Sequence, residues 1–341
     1  MSQWLRENVM TEQKKNILVT GAGGFLGYHM ANYLTDLGHE VDGMDLHFHD
    51  LSPDGTPARF NTIEEDFRNW QNTEEILKGK DIVYHFASAH LQISLDESEY
   101  WDVNVHGLKL LLEKAHQSGC KRFIHVSSVG AYGKLAEIPA SENTVCHPQS
   151  IYGETKLAGE KEVRDYCGQV GMPFVILRPA WIYGLGCPRT AKLQRMLKKK
   201  RFIMIGKGLN KRHPMYIKDM LTAFNLAMVK DNALGETMII GGDQIITTRE
   251  LVDTFSAVLK IPGPVINLPY SVGVAIASVA EAVFGIIGKE PPISRRTLEF
   301  FDTDNGFDVS KSKKILGFSP AYTFVQGVED YARVISTQQN G

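Results

Sequence analysis

An excess of charge of one sign is missing from this chain. Lys and Arg number 37 against 39 Asp and Glu in 341 residues, so no broad basic surface exists to track a phosphate backbone, and nucleic acid is not an expected partner. Cysteine is scarce and scattered: Cys120, Cys146, Cys167 and Cys187 form none of the close pairs that metal sites use, so no metal is expected. Nothing resembles a secretory leader, and the thiols read as small core hydrophobes of a protein in a reduced cytoplasm. Repeats and low-complexity tracts are absent. One long apolar stretch stands out, Leu268 to Gly288, but it carries Glu281 in its interior. A span needs about 20 mainly apolar residues and tolerates a central carboxylate poorly, so no stable membrane insertion is expected. A buried or lid-like helix is the reading, with shallow contact at a bilayer surface as its alternative. Residues 1–14 are polar and read as a flexible extension.

With 43% apolar residues the chain can bury one large core or two moderate ones. Asn16 to Thr20 is a short β-branched run followed by glycines, then a helical pattern from Phe25 to Leu37 stopped by Gly38. Further strands are expected at His39–Asp45, Asp81–Phe86, Arg122–Ser127, Phe174–Leu177 and Thr237–Ile240. Helices are expected at Asn72–Leu77, Val103–Ser118, Tyr152–Gly168 and Ile217–Val229. This alternation predicts an α/β fold, a Rossmann-type doubly wound parallel sheet. After Pro179 the rhythm breaks, and a smaller interleaved α/β substrate-binding domain is expected over residues 180–216 and about 243–335. The dinucleotide domain then takes residues 15–179 and about 217–242.

Gly21, Gly24 and Gly27 stand between a predicted strand and a predicted helix. Their spacing suits a tight turn, a close approach of backbone to pyrophosphate, and close packing of helix on strand. The helix N-terminus, with Phe25 and Leu26, would offer free N–H groups to phosphate. Asp45 ends the second strand, where a carboxylate accepts from an adenosine ribose and repels a 2′-phosphate. No arginine follows it among Leu46, His47, Phe48 and His49, so NAD is expected rather than NADP.

Together with YHFAS at Tyr84 to Ser88, VSSVGAYG at Val126 to Gly133, YGETK at Tyr152 to Lys156 and LRPAWIYG at Leu177 to Gly184, these motifs resemble the extended short-chain dehydrogenase/reductase superfamily, in its NAD-dependent epimerase/dehydratase branch. The resemblance runs from Lys15 to about Val334. It implies that Asp66, Phe67, Ala87, Lys156 and Pro179 join the cofactor site, and that Ser128, Tyr152, Lys156 and Asn104 form the catalytic set. Tyrosine ordinarily titrates near pH 10, too high for a base at neutral pH, and Lys156 on the same helix face is expected to favour the phenolate. Ser128 would hold the reacting oxygen. Family dehydratases place Asp-Glu after that hydroxyl residue and decarboxylating relatives a glutamate beside it; Val129 and Gly130 stand here. Reversible oxidation at one carbon is left.

Two substrate classes compete. Arg212, in KRHPMYIKD, falls on the arginine with which nucleotide-sugar epimerases meet the diphosphate, although His213 and Pro214 replace the usual aspartate and aromatic. Leu268 to Gly288, Ile293 to Arg296 and FDVSKSKKILGFSP at Phe307 to Pro320 resemble instead the 3β-hydroxysteroid dehydrogenase-like side of the superfamily. The expectation is an NAD-dependent nucleotide-sugar epimerase with Ser128, Tyr152 and Arg212 on the substrate. A hydroxysteroid-type or other small-molecule dehydrogenase is the alternative, and a non-catalytic NAD-binding protein a third. The resemblance also implies a homodimer, paired through the helices Tyr152–Gly168 and Val103–Ser118.

Overall fold

The computed structural model describes residues 13–48, 55–90, 95–263, 266–286 and 295–339. Residues 1–12 of the expected extension, Gly288, and Ile293 with Ser294 lie outside them. Seven parallel strands form the central sheet: β1 (Asn16–Thr20), β2 (Glu40–Asp45), β3 (Asn61–Glu64), β4 (Ile82–His85), β5 (Arg122–Val126), β6 (Phe174–Pro179) and β11 (Thr237–Ile240). Their order across the sheet is β3-β2-β1-β4-β5-β6-β11. The order reverses between β1 and β4, which opens a crevice beyond their carboxyl ends.

Each central strand is apolar on both faces because each face is roofed by helices. Ile17 and Val19 of β1, Ile82 and Tyr84 of β4, and Val175 and Leu177 of β6 pack into one core, shared with α1 (Phe25–Asp36) and α7 (Ile217–Val229). Leu18, Val83, Phe123 and Ile176 point the other way, into a second core with Leu108, Leu111 and Leu112 of α4 (Leu108–Gln117) and Val163 and Cys167 of α5 (Ile151–Val170). α4 continues α3 (Glu97–Trp101) through a π turn, Asp102–Gly107, where a single expected helix ran from Val103. α2 (Trp70–Leu77) covers the same face. The edge strand β3 lies in a stretch without apolar alternation, and Asn61, Thr62 and Glu64 are exposed.

The remaining strands make three small pairs: β7 (Trp181–Tyr183) with β10 (Pro214–Tyr216), β9 (Lys211–Arg212) with β12 (Ile246–Thr247), and β8 (Ile203–Ile205) with β13 (Ile266–Leu268). Among them run α6 (Pro188–Lys198), α8 (Thr248–Val258), α9 (Tyr270–Ile286), α10 (Arg295–Asp302), α11 (Ser310–Leu316) and α12 (Phe324–Gln339). α9 is the helix expected in the long apolar stretch. Among the described residues no helix is long and apolar enough to cross a membrane.

Candidate active site

The glycine turn sits in the crevice at the sheet's reversal. The Gly21 N–H donates to the Met44 carbonyl at 2.8 Å, and its φ of +74° suits glycine. A Cβ on Gly21 would lie 2.5 Å from the Ala87 nitrogen, so the turn lies against the exit of β4. A Cβ on Gly27 would lie 2.2 Å from the Gly21 carbonyl oxygen, which ties helix to turn. Gly24 differs, since a Cβ there would meet only that carbonyl, at 3.3 Å. Gly24 is the N-cap of α1, no side chain caps the helix, and no acidic residue occupies its first turn. The donors of Phe25, Leu26 and Gly27 and their positive dipole end are therefore suited to a phosphate.

Asp45 stands at the mouth of this turn. Its carboxylate accepts from the Gly23 N–H at 2.9 Å and the Leu46 N–H at 2.7 Å. Burial pushes its pKa up, against these backbone donors. Gly23 was not singled out from sequence, yet a Cβ there would lie 3.1 Å from the Asp45 carboxylate and 2.5 Å from the His47 carbonyl oxygen. Asp66 is held by Arg68, with Nη2 to Oδ2 at 2.7 Å. The Phe67 ring is buried in the second core and its carbonyl accepts from Thr73. Of that pair only Asp66 presents a half-exposed side chain. Pro179 ends β6 in the buried interior.

At the ends of β5 and α5 the catalytic candidates converge. Ser128 caps the turn Val129–Tyr132, its Oγ accepting from the Gly130 N–H at 3.0 Å. A Cβ on Gly130 would touch both that Oγ, at 3.2 Å, and the Tyr152 ring, at 3.4 Å. Ser128 and Tyr152 thus share one small volume over Gly130, and the His90 ring meets the Tyr152 ring edge-on at 4.6 Å between centroids. Tyr152 lies in the first turn of α5, two residues after its cap, where the Ser150 Oγ accepts from the Gly153 N–H. Burial raises the Tyr152 phenol; a hydrogen bond with Ser128 and the Arg189 charge pull it down. Lys156, expected to favour the phenolate, is not among these causes. The Lys156 ammonium is buried, donates to the Val126 carbonyl at 2.6 Å, and is itself pushed down to about 8 by desolvation, with Glu160 opposing.

Among the described residues, Asn104 makes no hydrogen bond to the Tyr152 hydroxyl. Its Oδ1 accepts from the Ala89 N–H at 2.9 Å and its Nδ2 donates to the Ala89 carbonyl and the Thr155 Oγ1, at 3.2 and 2.9 Å. It ties the segment after β4 to α5 between Tyr152 and Lys156, which makes it a positioning residue.

Beneath α5 lies a polar set that sequence reading did not single out. The Glu160 carboxylate, fully buried, accepts from Ser127 Oγ, from Arg178 Nε and Nη2, and from Arg164. Arg178 also donates to the Tyr132 hydroxyl at 2.7 Å. Next to it the His85 and His125 rings stack at 5.7 Å, with His85 Nδ1 on the Thr20 hydroxyl. Both His125 ring nitrogens are buried without a hydrogen-bond partner among the described residues.

Arg212 lies in β9, opposite Ile246, with a guanidinium 4.3 Å above the Phe300 ring and Nη2 bonded to the Phe300 carbonyl. Its Nε has no partner among the described residues. Burial draws its pKa down to about 10, Asp304 raising and Arg189 lowering it. The charge of Arg189, in the first turn of α6, therefore bears on both Tyr152 and Arg212. His213, which replaces the usual aspartate, is a fastener: Nε2 faces the Gly242 carbonyl at 2.8 Å and Nδ1 the Phe307 N–H at 3.2 Å.

Comparison with known proteins fits this geometry. The model of the NAD dependent epimerase/dehydratase family matches residues 17–241. An uncharacterized UDP-glucose epimerase of Bacillus subtilis (strain 168) is 28% identical over 348 residues, covering 95% of this chain and 99% of the relative. A 3-beta-hydroxysteroid dehydrogenase of Mycolicibacterium neoaurum is 25% identical over 346 residues, covering 92% and 89%. Among solved structures, UDP-glucuronic acid 4-epimerase from Bacillus cereus in complex with NAD superposes with a TM-score of 0.74 at 25% identity, covering 95% and 99%.

Proposed function

The chain belongs to the NAD dependent epimerase/dehydratase family, it is an NAD-dependent epimerase or oxidoreductase, and from that premise we propose that it epimerises a nucleotide-sugar. The observation that carries this reading is the meeting of Ser128 and Tyr152 over Gly130, with two arginines, Arg189 and Arg212, electrostatically linked to the same region. Gly21, Gly24 and Asp45 would hold NAD, which when bound would supply a reversible hydride acceptor for the sugar carbon.

The chain's own residues do the rest. The uncapped start of α1 would hold the pyrophosphate at Gly24, and the Asp45 carboxylate, fixed by the Gly23 and Leu46 N–H groups, would accept from the ribose hydroxyls. Tyr152 takes the proton of the sugar hydroxyl as a keto sugar forms, and returns it to the same oxygen after the sugar presents its other face. Ser128 steadies the charge developing on that oxygen. Lys156 is anchored on the Val126 carbonyl one helical turn beyond Tyr152, and Asn104 holds α5 between them through the Thr155 hydroxyl. Arg212, stacked on Phe300, offers its guanidinium to the diphosphate. Val129 and Gly130 supply no carboxylate beside Ser128, so neither elimination nor decarboxylation has its acid or base.

The division into a dinucleotide domain and an interleaved substrate domain, a cytoplasmic location, and a homodimer paired through α4 and α5 belong to the same reading. A hydroxysteroid-type dehydrogenase is the second reading, favoured by the Mycolicibacterium relative. The two separate on cofactor behaviour, because an epimerase regenerates its own NAD. Purified protein is analysed by mass spectrometry for retained NAD, then assayed with UDP-glucose, UDP-glucuronic acid and a 3β-hydroxysteroid. Epimer formation without net NADH is expected; net NADH from the steroid alone overturns the proposal.

A further inference from the structure

α9 is apolar on two sides, and among the described residues only one of them is covered. Gly273 and Ala277 seat the helix on the β8–β13 pair: a Cβ on Gly273 would meet Ile205 at 2.8 Å, and Ala277, Ile205 and Leu298 form one buried cluster. Its outer side carries Val272, Ile276, Val279 and Val283, exposed by 41%, 41%, 63% and 51%. Their spacing places them in one stripe along the helix. Ser271, Ala275 and Ala282 fill the same exposed side, and no charged residue joins them. Ile266, at the start of β13, and Phe300 of α10 are exposed beside this unit. A contiguous apolar surface of this kind marks a contact site, because isolated apolar residues are common on surfaces but an uncharged helix face is not.

The neighbouring charge says what covers it. Lys198, Lys199, Lys200 and Arg201 are all exposed, and none forms an ion pair among the described residues. They lead directly into Phe202 and β8, whose first residue Ile203 pairs with the exposed Ile266. Phe202 meets Phe301 of α10 at 6.3 Å, and Leu298 of α10 packs on Ala277 of α9. The basic run and the apolar stripe are thus held by one small packed unit. A second copy that covered both the stripe and the run would bring a second basic run to the same interface, and like charges oppose that pairing.

We propose that the outer face of α9 and the basic run Lys198–Arg201 dock this chain on an anionic lipid bilayer, with α9 lying in the interface and not crossing it. Apolar burial of the stripe and attraction of the run to anionic headgroups act together, as they do for interfacial helices. The docking goes beyond the epimerase reading and does not depend on it.

The test is co-sedimentation of the full chain with vesicles of phosphatidylcholine alone or mixed with phosphatidylglycerol. Wild type is expected to bind the mixed vesicles, less at high salt, and to bind pure phosphatidylcholine about tenfold or more weakly. Val279→Asp with Val283→Asp, and separately Lys199→Ala with Arg201→Ala, should each lower binding about tenfold or more while the melting temperature and NAD binding stay unchanged. These positions are exposed, so the fold does not depend on them. Absence of binding to either vesicle, or binding indifferent to Val279→Asp and Val283→Asp, overturns the proposal. Light scattering that shows a dimer split by the same pair of aspartates also overturns it, because a second copy would then cover the face.

Discussion

Arg178 on β6 grips Glu160 on α5 with two parallel bonds, Nε to Oε1 at 2.7 Å and Nη2 to Oε2 at 2.6 Å, and both side chains are buried. This fork joins the helix that carries Tyr152 and Lys156 to the sheet, and the Glu160 charge sits one helical turn beyond Lys156. Removing Arg178 leaves Glu160 buried with only the half-exposed Arg164 to offset its charge, so Arg178→Met should cost up to about 3–5 kcal/mol. Chemical denaturation measures this directly. A loss below about 1 kcal/mol would mean that Arg164 and Ser127 suffice to hold Glu160.

The three glycines of the turn should separate into two kinds. Gly27→Ala forces a Cβ against the Gly21 carbonyl oxygen, 2.2 Å away, and should lower the melting temperature. Gly24→Ala meets only a 3.3 Å contact, so the fold should persist while the methyl group stands where the pyrophosphate approaches. Calorimetric titration of Gly24→Ala with NAD should show about tenfold or greater weakening, from the lost close approach of phosphate to backbone N–H groups. Equal NAD affinity in wild type and Gly24→Ala would remove this position from the cofactor site.

Tyr152→Phe deletes the proton-carrying oxygen and leaves the ring in place over Gly130. Turnover should fall about 10²-fold or more, with NAD affinity nearly unchanged. Steady-state rates beside equilibrium NAD titrations decide it, and a variant turning over at the wild-type rate would take Tyr152 out of the mechanism.

Strand, turn and helix around Gly21 were readable because apolar period and glycine spacing are local. So were Ser128, Tyr152 and Lys156, which the structure brings to neighbouring ends of β5 and α5. β3 was not, since Asn61, Thr62 and Glu64 pair with β2 at an open edge and carry no apolar alternation. The partnership of Glu160 with Arg178 depends on how α5 crosses β6, which spacing does not reveal. His85 and His125 were hidden for a different reason. Each sits in a strand whose neighbours are all buried, and only the register that pairs His85 with His125 shows that they stack. Arg189 carries no motif, and only the placing of α6 brings its charge to bear on Tyr152.

Burial holds His85 and His125 neutral, the former down to about 3 and the latter well below its ordinary value. The unfolded chain takes up protons as pH falls below about 6.5, while the folded protein does not. Their contribution is therefore present above that pH and lost as pH falls toward about 3, near 1.4 kcal/mol per histidine for each pH unit. His39 and His213 shift the same way, so the informative quantity is a difference. Between about pH 7.5 and 5.5, wild type should lose about 1.4 kcal/mol more than His125→Phe in urea unfolding. Identical losses in the two proteins would show that His125 is protonated in the fold.

Arg212 separates the two substrate readings. Its guanidinium is stacked on Phe300, drawn down to about 10, and keeps one buried nitrogen without a partner among the described residues. A diphosphate would supply that partner through a charge-assisted bond of about 1.5–3 kcal/mol, so Arg212→Ala should raise KM for a nucleotide-sugar roughly 10- to 150-fold with NAD affinity unchanged. Arg212→Lys keeps the charge and loses the fork, and should fall between the two. A steroid-like alcohol offers no anion and should be indifferent to either change. The panel follows NADH absorbance and epimer formation for wild type and both variants, with melting temperatures to exclude loss of fold. Activity confined to apolar alcohols and equal in all three proteins would sink the nucleotide-sugar reading and leave Arg212 as a prop for Phe300 and the start of β9.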